Sequence, residues 1–191
     1  MFDSIIRAGF ACAWGTLIIV WVAGLFFSKP TVRRTSYSSR LALFLPLIAF
    51  YLLVAFHAIP IDWLFLRFWP HTRAIQATGL ALTILGCGFA IAARVTLGSN
   101  WSGLPKVKSE HELIVRGPYQ LVRHPIYSGL LLAVAGSTIA ADRSIWVLYV
   151  VLLAVCFVVK IRQEEQLMMQ TFPQHYPAYR RRVKALIPGM L

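Results

Sequence analysis

Acidic side chains are scarce in this chain of 191 residues, with 7 Asp and Glu set against 19 Lys and Arg for a formal charge of +12. Charge of either sign is itself sparse, at 14% of residues, where an average soluble domain carries about 25%. With 58% of the chain hydrophobic and a mean hydropathy of +0.66, these shortages exclude an ordinary soluble domain and describe a membrane composition. Cysteine is rare too: Cys12, Cys87 and Cys156 lie inside apolar runs without paired spacing. They read as small buried hydrophobes, so no disulfide framework and no metal site is expected. The N-terminus lacks a basic leader and a small-residue cleavage site, so its first long apolar run is expected to persist as a helix. The length suits a single domain spanning 1–191.

Apolar runs cover residues 9–27, 41–59, 74–97, 126–141 and 144–159. A spanning helix needs about 20 apolar residues at a rise of about 1.5 Å each. An all-α, polytopic membrane fold with five crossings is expected, the first three in a half at 1–97. The last two runs are short and divided only by Asp142-Arg143, which predicts a tight helical hairpin whose flanks complete the crossing by thinning or snorkelling. Basic residues are one-sided. Lys29, Arg33, Arg34 and Arg40 occupy the first connection; Arg94, Lys106, Lys108, Arg116 and Arg123 the third; Lys160, Arg162, Arg180, Arg181, Arg182 and Lys184 the tail. Only Arg7, Arg67, Arg73 and Arg143 fall on the other side. By the positive-inside rule the N-terminus is outside and the C-terminus cytoplasmic. The charge is thereby a topology signal that favours anionic headgroups and argues against nucleic acid. Trp63, Trp69 and Trp146 mark the outer boundaries, and residues 61–69, between Pro60 and Pro70, read as an interfacial segment.

Mid-depth ionisable groups are nearly missing. Arg94 is the exception, near the end of its run, which speaks against a conduction path. On the outer side Asp62, His71 and the Asp142-Arg143 pair read as structural residues at headgroup level. The cytoplasmic side differs: residues 98–125 form a connection longer than two helices require, and its aromatics and Leu113-Ile114-Val115 argue against disorder. No breaker separates Ser144 from Phe172, so the fifth helix should continue to Pro173. On it Arg162 and Glu165 share a face as i and i+3, with Glu164 pointing away, so the two glutamates are expected to meet different surroundings. Taken singly, Glu164 and Glu165 could solvate an emerging helix beside Lys160 and Arg162, and Pro125 could simply start one. Taken together, the stretch RHPIYSG at 123–129 and the stretch 162–165 sit at adjacent ends of the hairpin. Ionisable groups converging at membrane depth mark a site, over which the third connection and a tail carrying Tyr176 and Tyr179 can close.

The ordered set from Asn100 through Gly117-Pro118-Tyr119, Arg123-His124-Pro125, Tyr127, Gly129, Arg162, Glu164-Glu165, Tyr176, Tyr179 and Ile187-Pro188 resembles the isoprenylcysteine carboxyl methyltransferase and phospholipid methyltransferase group of integral membrane enzymes, over 98–188. That resemblance implies S-adenosylmethionine held without a Rossmann sheet in a cytoplasmic pocket of helix ends, third connection and C-terminal helix, in the half at 98–191. A lipophilic small molecule or prenylated substrate would arrive from the bilayer. It further implies cofactor contacts from Leu113, Val115, Gly117, Tyr119, His124, Pro125, Tyr127, Gly129 and Glu165, catalytic roles for Arg162 and Glu164, and acceptor contacts from Asn100, Trp101 and Arg162.

The residue chemistry is consistent. A sulfonium, an ammonium and a carboxylate call for a carboxylate such as Glu165, aromatic faces such as Tyr119 or Tyr127, and basic or backbone donors. A carboxylate acceptor, with a reference pKa near about 4, is already ionised and suits a two-pronged grip by Arg162. An amine would need a base, for which Glu164 or His124 is available. Gly86-Cys87-Gly88 resembles a glycine pair of phosphatidylethanolamine methyltransferases, but Gly79, Thr83, Gly86 and Ala90 more simply form a ridge for close helix packing. Asn100-Trp101-Ser102-Gly103 lacks the histidine that some prenylcysteine enzymes carry there, and only two acidic residues follow Arg162. An isoprenylcysteine-like carboxylate is the preferred acceptor; a phospholipid amine or a thiol is the alternative. An NADPH-dependent reductase of the steroid-reductase type is the rival reading, and nicotinamide binding would distinguish it.

Overall fold

The computed structural model describes residues 1–26, 31–34, 45, 47–52, 66–67, 69–98, 106–108 and 113–189. Its elements are α1 (Phe2–Phe26), β1 (Thr31–Arg34), α2 (Arg73–Leu97), β2 (Lys106–Lys108), a 3₁₀ turn (Gly117–Gln120), α3 (Pro125–Ala141), α4 (Ser144–Thr171) and α5 (Tyr176–Arg182). Among the described residues three helices are long and apolar enough to cross a bilayer: Phe2–Gly24, Arg73–Leu97 and Ser144–Thr171. The helix α3 is apolar but has only 17 residues, about 25 Å at helical rise. The run at 41–59 lies largely outside the described residues, of which 45 and 47–52 are helical. One departure from the all-α expectation is an antiparallel ribbon pairing Thr31 with Lys108, Arg33 with Val107 and Arg34 with Lys106. Its β-branched Thr31, Val32 and Val107 suit extended backbone.

Local chemistry sets the helix limits. The Thr72 side chain accepts from the Ile75 N–H at the start of α2, and Gly98 (φ 54) ends it. Pro125 opens α3 at a position where no N–H is needed. Asp142 terminates α3 in the left-handed region (φ 51). The next helix, α4, then runs uninterrupted for 28 residues, about 42 Å. That exceeds a hydrocarbon core of about 30 Å, so its last turns, with Arg162 to Glu165, extend past the apolar layer.

Helices α2 and α3 are knit by glycine. A Cβ on Gly86 would strike the Ala133 nitrogen and stand 2.5 Å from the Gly129 carbonyl oxygen; one on Gly136 would stand 2.6 Å from the Gly79 oxygen. Only hydrogen fits there, the close approach that membrane helices exploit. Thr83 is buried in the seam and donates to the Gly79 and Ala133 carbonyls. Across it lies α1, with Leu17 against Cys87, Ala90 and Ala133 and the Trp14 indole donating to Ser137 at 3.2 Å. The packing reading of Gly79, Thr83, Gly86 and Ala90 therefore holds. Arg94, the one charge inside an apolar run, is buried and donates to the Gly24 and Gly98 carbonyls at 2.7 and 2.9 Å, tying the ends of α1 and α2 together.

At the opposite end of the bundle, Asp142 is not a solvated headgroup-level residue: it is 3% exposed. His71 Nδ1 lies 2.6 Å from its carboxylate and Arg67 Nε 3.7 Å away. The Gln76 side chain bonds the other His71 nitrogen, the Trp69 indole donates to the Ile139 carbonyl, and the Ser144 N–H donates to the Leu66 carbonyl. Left-handed backbone at Asp142 turns its carboxylate back over the helix end, which is why the hairpin corner is a lock. Asp62 and Trp63 lie outside the described residues.

Candidate active site at the helix ends

Residues 122–124 enter α3 alongside the C-terminal segment. Val122 bridges Lys184 in parallel, and the Arg123 and His124 N–H groups donate to the Lys184 and Ala185 carbonyls at 2.8 and 3.0 Å. This short pairing aims Arg123 and His124 at the last turns of α4. Arg123 Nε and Nη2 donate to Glu165 Oε1 at 2.8 and 2.5 Å. Its Nη1 donates to the Arg180 carbonyl at 3.1 Å and to the Val183 carbonyl. Arg180 Nε reaches the second Glu165 oxygen at 3.0 Å. One buried carboxylate is thus held between two guanidinium groups, a strong form of ion pair.

The His124 ring stands between both glutamates, with Nδ1 3.5 Å from Glu164 and Nε2 3.5 Å from Glu165. Nε2 is buried and makes no hydrogen bond. Tyr127, one turn along, donates to Glu164 at 2.5 Å. Its ring stacks on His124 at 5.6 Å and on Phe157 at 4.7 Å. Lys160 lies 4.0 Å from Glu164 and 5.1 Å from the Tyr127 ring centre, so it too belongs to the cluster. Burial pulls the His124 pKa down, but the flanking carboxylates outweigh it and raise it above the ordinary value. Glu164 and Glu165 do not meet separate surroundings: adjacent on α4, they reach the two sides of one imidazole.

Behind this cluster α5 folds back, with Tyr176, Tyr179 and Val183 buried against Leu113, Met168 and Phe172. The Tyr179 hydroxyl donates to the Tyr119 carbonyl at 2.6 Å. Burial, outweighing nearby Arg123 and Arg182, pushes the Tyr179 pKa up to about 12. Burial likewise raises Tyr119 and Tyr176. These hydroxyls therefore stay protonated at neutral pH.

A cavity of 440 Å³ opens beside the cluster, lined by Arg162, Glu165, Gln166, Met169, Gln170 and Arg180. It lies along α4 toward α5, not between His124 and Tyr127, whose rings stack on each other. Of the residues singled out in the sequence, His124, Tyr127, Glu164 and Glu165 come together, and Arg162 faces the cavity. Tyr119 is buried with Ala93 and Ile114, and Gly117 (φ 59) turns the chain toward Thr96. Leu113 packs on α5 and Val115 is exposed. Gly129 packs on α2, where a Cβ would stand 2.6 Å from the Gly86 oxygen, and buried Pro125 starts α3. Asn100 and Trp101 lie outside the described residues. Arg123, Arg180 and Lys160 carried no assigned site role, although Arg123 belongs to the motif.

Residues 79–170 match the model of the isoprenylcysteine carboxyl methyltransferase (ICMT) family. Over that segment, just under half of its length, the chain is similar to the family. The matched segment contains every member of the cluster from Arg123 to Glu165; Arg180 and α5 follow it. Protein-S-isoprenylcysteine O-methyltransferase B of Arabidopsis thaliana is 33% identical over 117 residues, covering 60% of this chain and 59% of that protein. Protein-S-isoprenylcysteine O-methyltransferase of Mus musculus is 31% identical over 129 residues, covering 63% and 45%. A solved structure of the eukaryotic intramembrane Ras methyltransferase ICMT superposes with a TM-score of 0.55 at 24% identity, covering 81% of this chain and 54% of that one; the two share a fold. The chain thus spans between about half and three-fifths of the length of these proteins.

Proposed function

We propose that this chain is an integral membrane methyltransferase that moves a methyl group from S-adenosylmethionine to the carboxylate of an isoprenylcysteine-like lipophilic acceptor. One observation carries the reading: the buried Arg123, His124, Tyr127, Glu164 and Glu165 cluster abuts a cavity at the helix ends, inside the segment the ICMT family covers. The residues suit the cofactor. Glu165 offers a carboxylate for its ammonium, and Arg180 offers a guanidinium group for its carboxylate. The cavity volume of 440 Å³ falls within the range of about 300–1,000 Å³ of small-molecule sites.

When bound, S-adenosylmethionine supplies an electrophilic methyl group on a sulfonium. The chain supplies position. Arg123 and Arg180 fix Glu165 at the cavity wall, and Arg162 on the same wall can hold an anionic acceptor with two parallel hydrogen bonds. An ionised carboxylate needs no general base. Glu164, engaged by Tyr127, His124 and Lys160, then acts by orienting those rings. Orientation and water exclusion can contribute about 7–11 kcal/mol to such a transfer. The distribution of Lys and Arg puts this end on the cytoplasmic side, with the N-terminus outside.

The test is calorimetry on purified protein with S-adenosylmethionine and with NADPH, followed by labelled methyl transfer to a farnesylated cysteine analogue, phosphatidylethanolamine and a lipophilic thiol. S-adenosylmethionine binding with a base-labile methyl ester product is expected. Binding of NADPH alone would overturn the enzyme class, and label in the amine or thiol alone would overturn the acceptor.

A further inference from the structure

The short helix α5 presents two unlike faces. Tyr176, Tyr179 and Val183 are buried against the body, and Arg180 leans back to Glu165 at 3.0 Å. Arg181, Arg182 and Lys184 are exposed, and among the described residues no carboxylate forms an ion pair with them. With Arg180 they place four cations within five residues, a repulsive arrangement unless an anion lies alongside. The described carboxylates near this end, Glu164 and Glu165, are already engaged by His124, Tyr127, Lys160, Arg123 and Arg180. The depth is also telling. Because α4, at about 42 Å, outruns the hydrocarbon layer by several residues, α5, only a few residues further on, lies at headgroup level. Exposed Leu121 and Ile187 flank the paired strands 122–124 and 184–185, apolar groups beside cations as at a bilayer surface.

We propose that Arg181, Arg182 and Lys184 form a binding surface for anionic phospholipid headgroups of the adjacent leaflet, and that its occupancy holds α5 over the cavity. A basic cluster directly beyond a membrane helix is the arrangement that attracts such lipids. The coupling to the site is mechanical: the Arg123 guanidinium donates to the Arg180 and Val183 carbonyls, and the 123–124 backbone donates to Lys184 and Ala185. A headgroup that pins the outer face of α5 therefore also pins Arg180 at the cavity rim. Neither step depends on which acceptor is methylated.

The experiment compares protein in nanodiscs of phosphatidylcholine with protein in discs doped with phosphatidylglycerol, following amide exchange over 176–186 and lipid retained in native mass spectra. Phosphatidylglycerol should slow exchange in 176–186 and leave α2 and α3 unchanged. Each cation is worth about fivefold in headgroup affinity, so the combined Arg181→Gln, Arg182→Gln, Lys184→Gln variant should retain phosphatidylglycerol on the order of a hundredfold less tightly. The Arg181→Lys, Arg182→Lys variant should keep the lipid response, separating loss of charge from loss of folding. Equal exchange in the two discs, or retention undiminished by the glutamine variant, would overturn the proposal. So would protection conferred by inorganic phosphate in phosphatidylcholine discs, which would assign the surface to a soluble anion. None of these readouts requires methyl transfer, so they fail or succeed separately from the enzymatic reading.

Discussion

The two ends of the helical bundle each set a histidine against a carboxylate, and they use it differently. At the hairpin corner, His71 meets a single aspartate, and both ring nitrogens have partners in Asp142 and Gln76. At the other end, His124 lies between two glutamates with one buried nitrogen unbonded, and the adjoining wall opens into a cavity. A lock satisfies its polar groups locally; a site keeps buried bonding capacity beside open space.

The sharpest way to break this comparison is Arg123→Leu. It strips the guanidinium from a pair in which both side chains are 8% exposed, and unpairing a buried ion costs about 3–5 kcal/mol. Thermal unfolding in micelles should drop accordingly, with affinity for S-adenosylmethionine falling alongside. Asp142→Asn at the lock should cost about 1–3 kcal/mol by weakening buried charge-assisted bonds, yet leave calorimetric affinity for S-adenosylmethionine at the wild-type value; a parallel fall in affinity would show that the ends are not separable. A smaller effect is expected from pH. The folded-state pKa of His124 is raised above its ordinary value of 6.5, so the folded protein binds the proton more tightly than the unfolded chain. That contribution is complete below about pH 6.5 and is lost as pH rises through the higher folded-state value. Wild-type melting temperature should therefore decline across that interval. His124→Gln should flatten the decline, whereas Asp142→Asn should preserve it. Smallest in stability is exposed Arg162→Gln, within about 0.5 kcal/mol of wild type, although methyl transfer to a carboxylate acceptor should fall markedly in a labelled-product assay.

Much of the site end was legible because its parts are short-range. Pro125 starting a helix, Asp142-Arg143 turning it, and an unbroken run to Phe172 bring His124, Tyr127, Glu164 and Glu165 to one place by hairpin geometry alone. The partner of Glu165 was not legible. Spacing of i and i+3 suggested Arg162, but that rule measures only proximity along one helix. Arg123 wins because 122–124 pair with 184–185, an association between segments about sixty residues apart that no local periodicity encodes. Gly129 was assigned to the cofactor by motif; that its missing side chain also serves the approach to Gly86 is visible only in the packing. Asp142 was read as a structural residue at headgroup level, but its burial depends on left-handed backbone that turns it inward.

The sequence by itself determined the solvent this protein lives in, the positions of most of its helices and the neighbourhood of its chemistry, since hydrophobic length, helix-breaking residues and charge placement act over a few turns of chain. The tertiary structure alone decided which arginine neutralises Glu165, where the cavity opens and which histidine keeps a nitrogen unbonded. Those outcomes rest on side chains meeting across helices, and such meetings are chosen by the packing of the whole bundle.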